Sequence, residues 1–168
     1  MYMENRIKQL FKEDIVDRKA GNLQERLPEI KRRDKLRAKE LRKILEKLKK
    51  SEGELDAKTL FYAGFIFHHQ GTKRATSKAR SLAKRGVKLC EGKNTKACKQ
   101  VRWLYAGSTD RLLMLEGKPQ KYGTQYRRKK DNKDFYLYRI DPATTDDERK
   151  AFNVPTLAEA KKLAKNIK

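Results

Sequence analysis

Leu60-Phe61-Tyr62-Ala63-Gly64-Phe65-Ile66-Phe67 is a run in which no charged side chain interrupts the helical circumference. A surface helix carries an apolar stripe and a polar face opposite it; a helix without a polar face belongs inside the protein. This segment is therefore expected at the buried centre of the fold. Asp56 stands where an N-cap belongs, because its carboxylate can accept from the free amides of a first helical turn. The run passes into His68-His69-Gln70 and stops near Gly71.

Working outward, Glu4 to Lys19 reads as an amphipathic helix with Ile7, Leu10, Phe11 and Ile15 on one face. Gly21 and Pro28 bracket a short connection to a long, highly charged helix from Glu29 to Lys50, striped by Leu36, Leu41, Ile44, Leu45 and Leu48 and ended by Ser51-Glu52-Gly53. On the other side, Thr76 to Arg85 reads as a short basic helix, with Ala79, Leu82 and Ala83 inward and Gly86 closing it. Thr95 or Asn94 caps the next helix, which runs through Val101, Leu104, Tyr105, Leu112 and Leu115 to the breakers Gly117 and Pro119. Tyr122 to Arg127 and Phe135 to Ile140 read as strands joined by the polar loop Lys129 to Asp134. Two capping boxes follow, Thr145 to Glu148 and Thr156 to Glu159. The expectation is a mainly α protein, a single compact helical domain of five to seven helices with one β-hairpin near the C-terminal end. It divides into charged N-terminal helices (1–50), core helices (56–117), a polar loop and hairpin (118–141) and C-terminal helices (142–168).

The chain has 168 residues with 44 Lys plus Arg against 22 Asp plus Glu, a formal charge of +22. No apolar run approaches the ~18–20 residues of a membrane span, and the charged start lacks the apolar core of a signal peptide. A cytoplasmic protein without membrane association is expected. The charge is uneven: residues 57–109 hold 12 basic side chains and a single acid, Glu91, for a net +11. In the N-terminal third, acids and bases alternate at helical spacing, as in Glu40/Lys43 and Glu46/Lys50, which suits a solvated face. Lys73, Arg74, Lys78, Arg80, Lys84, Arg85 and Lys88 have no acids among them. Such self-repulsion favours a nucleic acid or another polyanion as partner, with Arg127 and Arg128 in the 127–130 run as further contacts. Tyr122, Tyr126, Tyr136 and Tyr138 near the hairpin are candidates for stacking on bases.

Cys90 and Cys98 flank a Gly-Lys-Asn-Thr turn. Their spacing does not suit zinc, and the two histidines lie far upstream. Reduced thiols are expected, with a disulfide closing the loop as the alternative; no metal or other cofactor is expected. His68 and His69 end an apolar helix, where an imidazole can interact with the last carbonyls or serve as a general acid or base near pH 7. Asp110 lies mid-helix behind Ala106-Gly107-Ser108-Thr109, so its carboxylate needs a partner such as His69 or a backbone amide. Arg111 lies about 100° away around the helix and is not a natural partner for it. In Gly117-Lys118-Pro119-Gln120-Lys121-Tyr122-Gly123-Thr124-Gln125, amide and hydroxyl side chains alternate with other residues. If extended, the segment sets Gln120, Tyr122 and Thr124 on one side and Lys121, Gly123 and Gln125 on the other.

Asp110-Arg111 followed by Gly117-Lys118-Pro119-Gln120 and Tyr122-Gly123-Thr124-Gln125 resembles the signature of an uncharacterised bacterial family, a domain of unknown function. Phe67-His68-His69-Gln70-Gly71 is similar to that family's Phe-Gln-His-Gly run, with His68 where glutamine is usual. Asp146 to Arg149 and Asn153-Val154-Pro155-Thr156-Leu157 are similar to its closing motif. The resemblance covers most of residues 10–165. It implies a shared helical fold and a cluster of His69, Asp110, Arg111, Gln120, Tyr122, Thr124 and Gln125, but no activity. High positive charge is not a trait of the family.

Three functions follow from these residues. In the first, the basic segments bind nucleic acid, RNA before DNA, and His69, Asp110 and Arg111 form a metal-independent hydrolytic or nuclease-like site, with Arg111 or Lys121 stabilising charge on phosphate. His68, Gln120, Lys121, Tyr122, Thr124 and Gln125 are its binding residues. In the second, the same polar cluster recognises a small polar ligand and the basic surface is incidental. In the third, the cluster is an internal network of a structural or regulatory helical module. The sequence does not set the oligomeric state.

Overall fold

The computed structural model describes residues 2–21, 23–51, 53–128 and 135–167. Seven helices and a two-stranded antiparallel hairpin are present among them: α1 (Tyr2–Lys19), α2 (Leu23–Lys50), α3 (Ala57–His69), α4 (Lys73–Lys88), α5 (Lys96–Leu115), β1 (Tyr126–Arg128), β2 (Phe135–Leu137), α6 (Asp146–Ala151) and α7 (Leu157–Asn166). The mainly α expectation holds, and α3 is the central element, packed on α1, α2, α4 and α5. Its start is capped by Asp56, whose carboxylate accepts from the Thr59 amide.

Two apolar clusters meet on α3. Leu60, Ala63, Ile66 and Phe67 pack with Ile7 and Leu10 of α1, Ala38 and Leu41 of α2, and Ala79 of α4. On another face, Phe61 joins Ala83, Val101, Leu104 and the two cysteines. Close helix approach depends on glycine: a Cβ on Gly64 would stand 2.7 Å from Leu104 Cδ2, and one on Gly86 would stand 2.8 Å from Val101 Cγ1. A third cluster, with Ala106, Tyr122 and Val154 at its centre, fastens the C-terminal part to α5.

Several sequence expectations change. Pro28 lies inside α2 rather than before it. One missing amide near the start of a 28-residue helix is a small loss beside the packing and ion pairs that α2 makes on α1. Leu36, expected on the inward stripe, is exposed. The basic helix α4 starts at Lys73 because Thr72 caps it, its hydroxyl accepting from the Ala75 amide. Glu40, expected to serve a local pair, instead receives Arg6 of α1 at 2.6 and 2.9 Å. The hairpin pairs Tyr126 with Leu137 and Arg128 with Phe135; the polar loop 129–134 lies outside the described residues. Both capping boxes form, at Thr145/Glu148 and Thr156/Glu159. Cys90 and Cys98 are joined in a disulfide rather than reduced, because the turn after α4 folds back and sets their Cα atoms 5.4 Å apart, within bridging reach. No helix among the described residues is long and apolar enough to cross a membrane.

Candidate functional site

Small residues on α5 let the segment after it come close, and the Asp110 carboxylate uses that space. One carboxylate oxygen, Oδ1, accepts from the Lys121 and Tyr122 amides, both at 2.8 Å; Oδ2 accepts from the Thr124 amide at 2.9 Å and its hydroxyl at 2.8 Å. Gathering amides from 121, 122 and 124 curls the chain, with Gly123 in the left-handed region at φ +87°. The extended alternation read from the sequence is therefore not adopted. Gln120 and Gln125 face each other instead: the Gln125 amide donates to Gln120 Oε1 at 2.8 Å, and Gln120 Nε2 donates to the carbonyls of Gln125 and Tyr138, both at 2.9 Å. Gln125 Nε2 donates to the Gly107 carbonyl at 3.2 Å and to Thr124 Oγ1 at 3.0 Å. Tyr122 is buried on Phe152, ring centres 4.9 Å apart. Burial pushes the Asp110 carboxyl above its usual range, opposed by the four donors aimed at it. Asp110 is fully buried with both oxygens engaged, so it takes no further ligand unless this loop opens.

His69, Asp110 and Arg111 are not brought to one another. The partner of His69 is Asp14 on α1, with Nδ1 2.7 Å from Asp14 Oδ2. Asp14 belongs to an ionic network between α1 and α2. Arg18 reaches Asp14 at 2.6 Å and Asp34 at 2.7 Å, and Arg37 reaches Asp17 and Asp34, both at 2.6 Å. Burial works to raise the Asp17 carboxyl, but the Arg37 and Arg33 guanidiniums outweigh it and hold it below its ordinary value. Arg111 donates through Nη1 to the His68 carbonyl at 2.7 Å and through Nε to Gln125 Oε1 at 3.0 Å, tying the end of α3 to the loop. Burial, and then the nearby Arg18, lower its pKa to about 10. His68 is buried beside Phe65 and Trp103, and its Nδ1 has no partner among the described residues. Burial, helped by Arg111 and His69, pushes His68 well below 6.5, so it is neutral at pH 7.

The acids of this network were legible only in the core register. Ile7, Leu10, Asp14 and Asp17 are the buried residues of α1, at one continuous helical spacing. Two carboxylates continuing an apolar stripe are the signal for a buried ionic layer. No three His, Cys, Asp or Glu side chains among the described residues gather in a metal-binding set.

The basic residues are arranged differently. Arg80 turns inward, donating to Thr109 Oγ1 at 3.0 Å and Tyr105 Oη at 3.2 Å. Lys73, read from the sequence as having no acid to pair with, meets Glu116 of α5 at 2.8 Å. With Lys118, it draws the Glu116 carboxyl down to about 2. Arg127 and Arg128 lie over the rings of Tyr138 and Phe135. Of the four tyrosines considered for stacking, Tyr122 and Tyr138 are buried, Tyr126 is half-buried and Tyr136 is exposed. Lys121 pairs with Glu148 at 3.1 Å.

The remaining cations face a groove between α2 and α4. Arg42, Lys49, Arg74 and Lys78 line a furrow of about 580 Å³, floored by Phe67 and Ala75 and carrying one acid, Glu46. It continues past Leu48 and Leu82 to Arg85. Lys84 and Lys88 stand exposed on α4 nearby. None of Arg42, Lys49, Arg74, Lys78 and Arg85 makes an ion pair with a described residue. Arg42 and Lys49 escaped sequence reasoning because α2 alternates acids and bases. Only its packing on α4 shows which cations are left over. No family model, curated protein or solved structure matches the chain.

Proposed function

We propose that this protein binds nucleic acid along the α2–α4 groove, with single-stranded RNA the class to test first. The observation that carries the reading is the groove itself: five unpaired cations, Arg42, Lys49, Arg74, Lys78 and Arg85, against one acid, Glu46. Like charges held on two rigid helices repel, and phosphates spaced along a strand relieve that repulsion while releasing counterions. The side chains are long and the floor apolar, an arrangement that reads backbone charge rather than base edges.

Five phosphate contacts on a single strand give a slope of roughly −3.5 in log K against log salt, about a hundredfold loss between 50 and 200 mM. Fluorescence anisotropy with a labelled 20-nucleotide RNA across that range tests the reading. Lys78→Glu with Arg85→Glu is expected to remove most of the affinity and flatten the slope. A slope shallower than about −1, or unchanged binding by the double variant, would sink it. Equal affinity for duplex DNA would keep the groove and remove the preference for RNA.

For the Asp110 cluster we propose the third role, an internal latch between α5 and the hairpin. Its support is the full use of the Asp110 oxygens and the pairing of Gln120 with Gln125. The separation of His69 from Asp110 speaks against a hydrolytic site built from those two side chains.

A further inference from the structure

On the opposite face of α2 from the basic groove lies a second furrow, between α1 and α2, of about 390 Å³. Its apolar surface is Val16 and Leu36, which at 65% and 54% are the most exposed aliphatic side chains among the described residues, with Leu10 beneath. Its charges cancel. Three guanidiniums, Arg6, Arg33 and Arg37, meet three carboxylates, Glu13, Asp17 and Glu40: Arg6 with Glu40 at 2.6 Å and Glu13 at 3.3 Å, and Asp17 with Arg33 at 2.7 Å and Arg37 at 2.6 Å. On a chain of charge +22, this is a neutral apolar face.

We infer that this furrow is the docking face for a second copy of the same chain. The pattern of charge points to that occupant. The end holding Arg6, Glu13 and Glu40 has one excess negative charge, and the end holding Asp17, Arg33 and Arg37 has one excess positive charge. Because α1 and α2 run antiparallel, a two-fold axis across the furrow lays each end on its opposite in the partner copy, with Val16 and Leu36 of both copies between them. A self-complementary patch of this kind closes into an isologous dimer. Strongly cationic copies repel each other at every basic face, and here they approach without that penalty. Residues 36 and 40 of α2 lie about 180° around the helix from 42 and 49, so the dimer leaves both basic grooves free.

Analytical ultracentrifugation of the full chain between 1 and 200 µM, in 0.15 and 0.3 M salt, tests the inference. A concentration-dependent dimer is expected, tighter at the higher salt because screening weakens repulsion between the two bodies. Val16→Glu with Leu36→Glu, both at exposed positions, is expected to weaken dimerisation at least tenfold with the circular dichroism spectrum unchanged. Lys78→Glu, in the other groove, is expected to leave it intact. A monomer at every concentration, or a dimer indifferent to the Val16/Leu36 change, overturns the inference. Neither outcome bears on RNA binding, which is measured separately with a short oligonucleotide.

Discussion

Replacing Asp110 by Asn is the sharpest test of the latch, because the change removes one charge and alters no volume. Asn keeps one oxygen, which can still accept from the Lys121 and Tyr122 amides. Its Nδ2 must then stand where Oδ2 accepted from the Thr124 amide and hydroxyl. The hydroxyl can rotate and accept from Nδ2, but the Thr124 amide has no such freedom and faces another donor. An orphaned buried amide costs about 1–3 kcal/mol. Converting the two surviving bonds from charge-assisted to neutral adds about 1 kcal/mol. The sum of about 2–4 kcal/mol corresponds to a fall in Tm of roughly 5–12 °C for a chain of this size. Thermal melts followed at 222 nm, with urea titrations to give the free energy, measure it. At 20 °C, where the variant remains folded, RNA affinity is expected to match wild type. A loss below about 1 kcal/mol would refute the account of the loop, and a folded variant that no longer binds RNA would return Asp110 to the site.

Two other expectations rest on single features. Since the His68 pKa is depressed by burial, the unfolded chain binds a proton below pH 6.5 that the folded chain does not. Stability is then full above 6.5 and declines as pH falls, by up to about 1.4 kcal/mol per pH unit; His68→Gln should flatten the wild-type slope between pH 6.5 and 5, and parallel slopes in urea titrations would contradict it. The Cys90–Cys98 bridge closes a short loop at a sequence separation of 8, worth about 2.5 kcal/mol by loop entropy; dithiothreitol or Cys98→Ala should lower Tm by roughly 5–10 °C with helicity retained, and an unchanged Tm would show that the bridge adds nothing to packing already in place.

Local pattern was enough where local chemistry decides. The uncharged run at 60–67 marks the centre, and Asp56, Thr95, Thr145 and Thr156 mark helix starts because a cap needs only its own first turn. Pattern failed where a distant group overrides it. Gln120 to Gln125 alternates like a strand, yet Asp110, ten or more residues away, holds its amides and curls it. His69 found an acid on α1 rather than on α5, and no spacing rule links residue 14 to residue 69. Arg80 has the same composition signal as its neighbours on α4, but its helical angle turns it toward Tyr105. For the candidate interface, half was legible: α4 stood out by charge, while Arg42 and Lys49 emerged only when their neighbours' acids were seen to be committed elsewhere.

The ionic layer between α1 and α2 also has an effect at long range. Most of the acids in that layer are fixed on one side of the molecule, while α4 carries its cations on another. The protein is therefore an electric dipole superimposed on a large net charge. A monopole draws a polyanion in from any direction; a dipole also turns the protein as the two approach, so that the α4 side leads before any contact is made. Such pre-orientation raises the fraction of productive encounters, and it fades once the Debye length falls below the size of the molecule. Association rates should thus respond to salt more steeply than the groove contacts alone dictate.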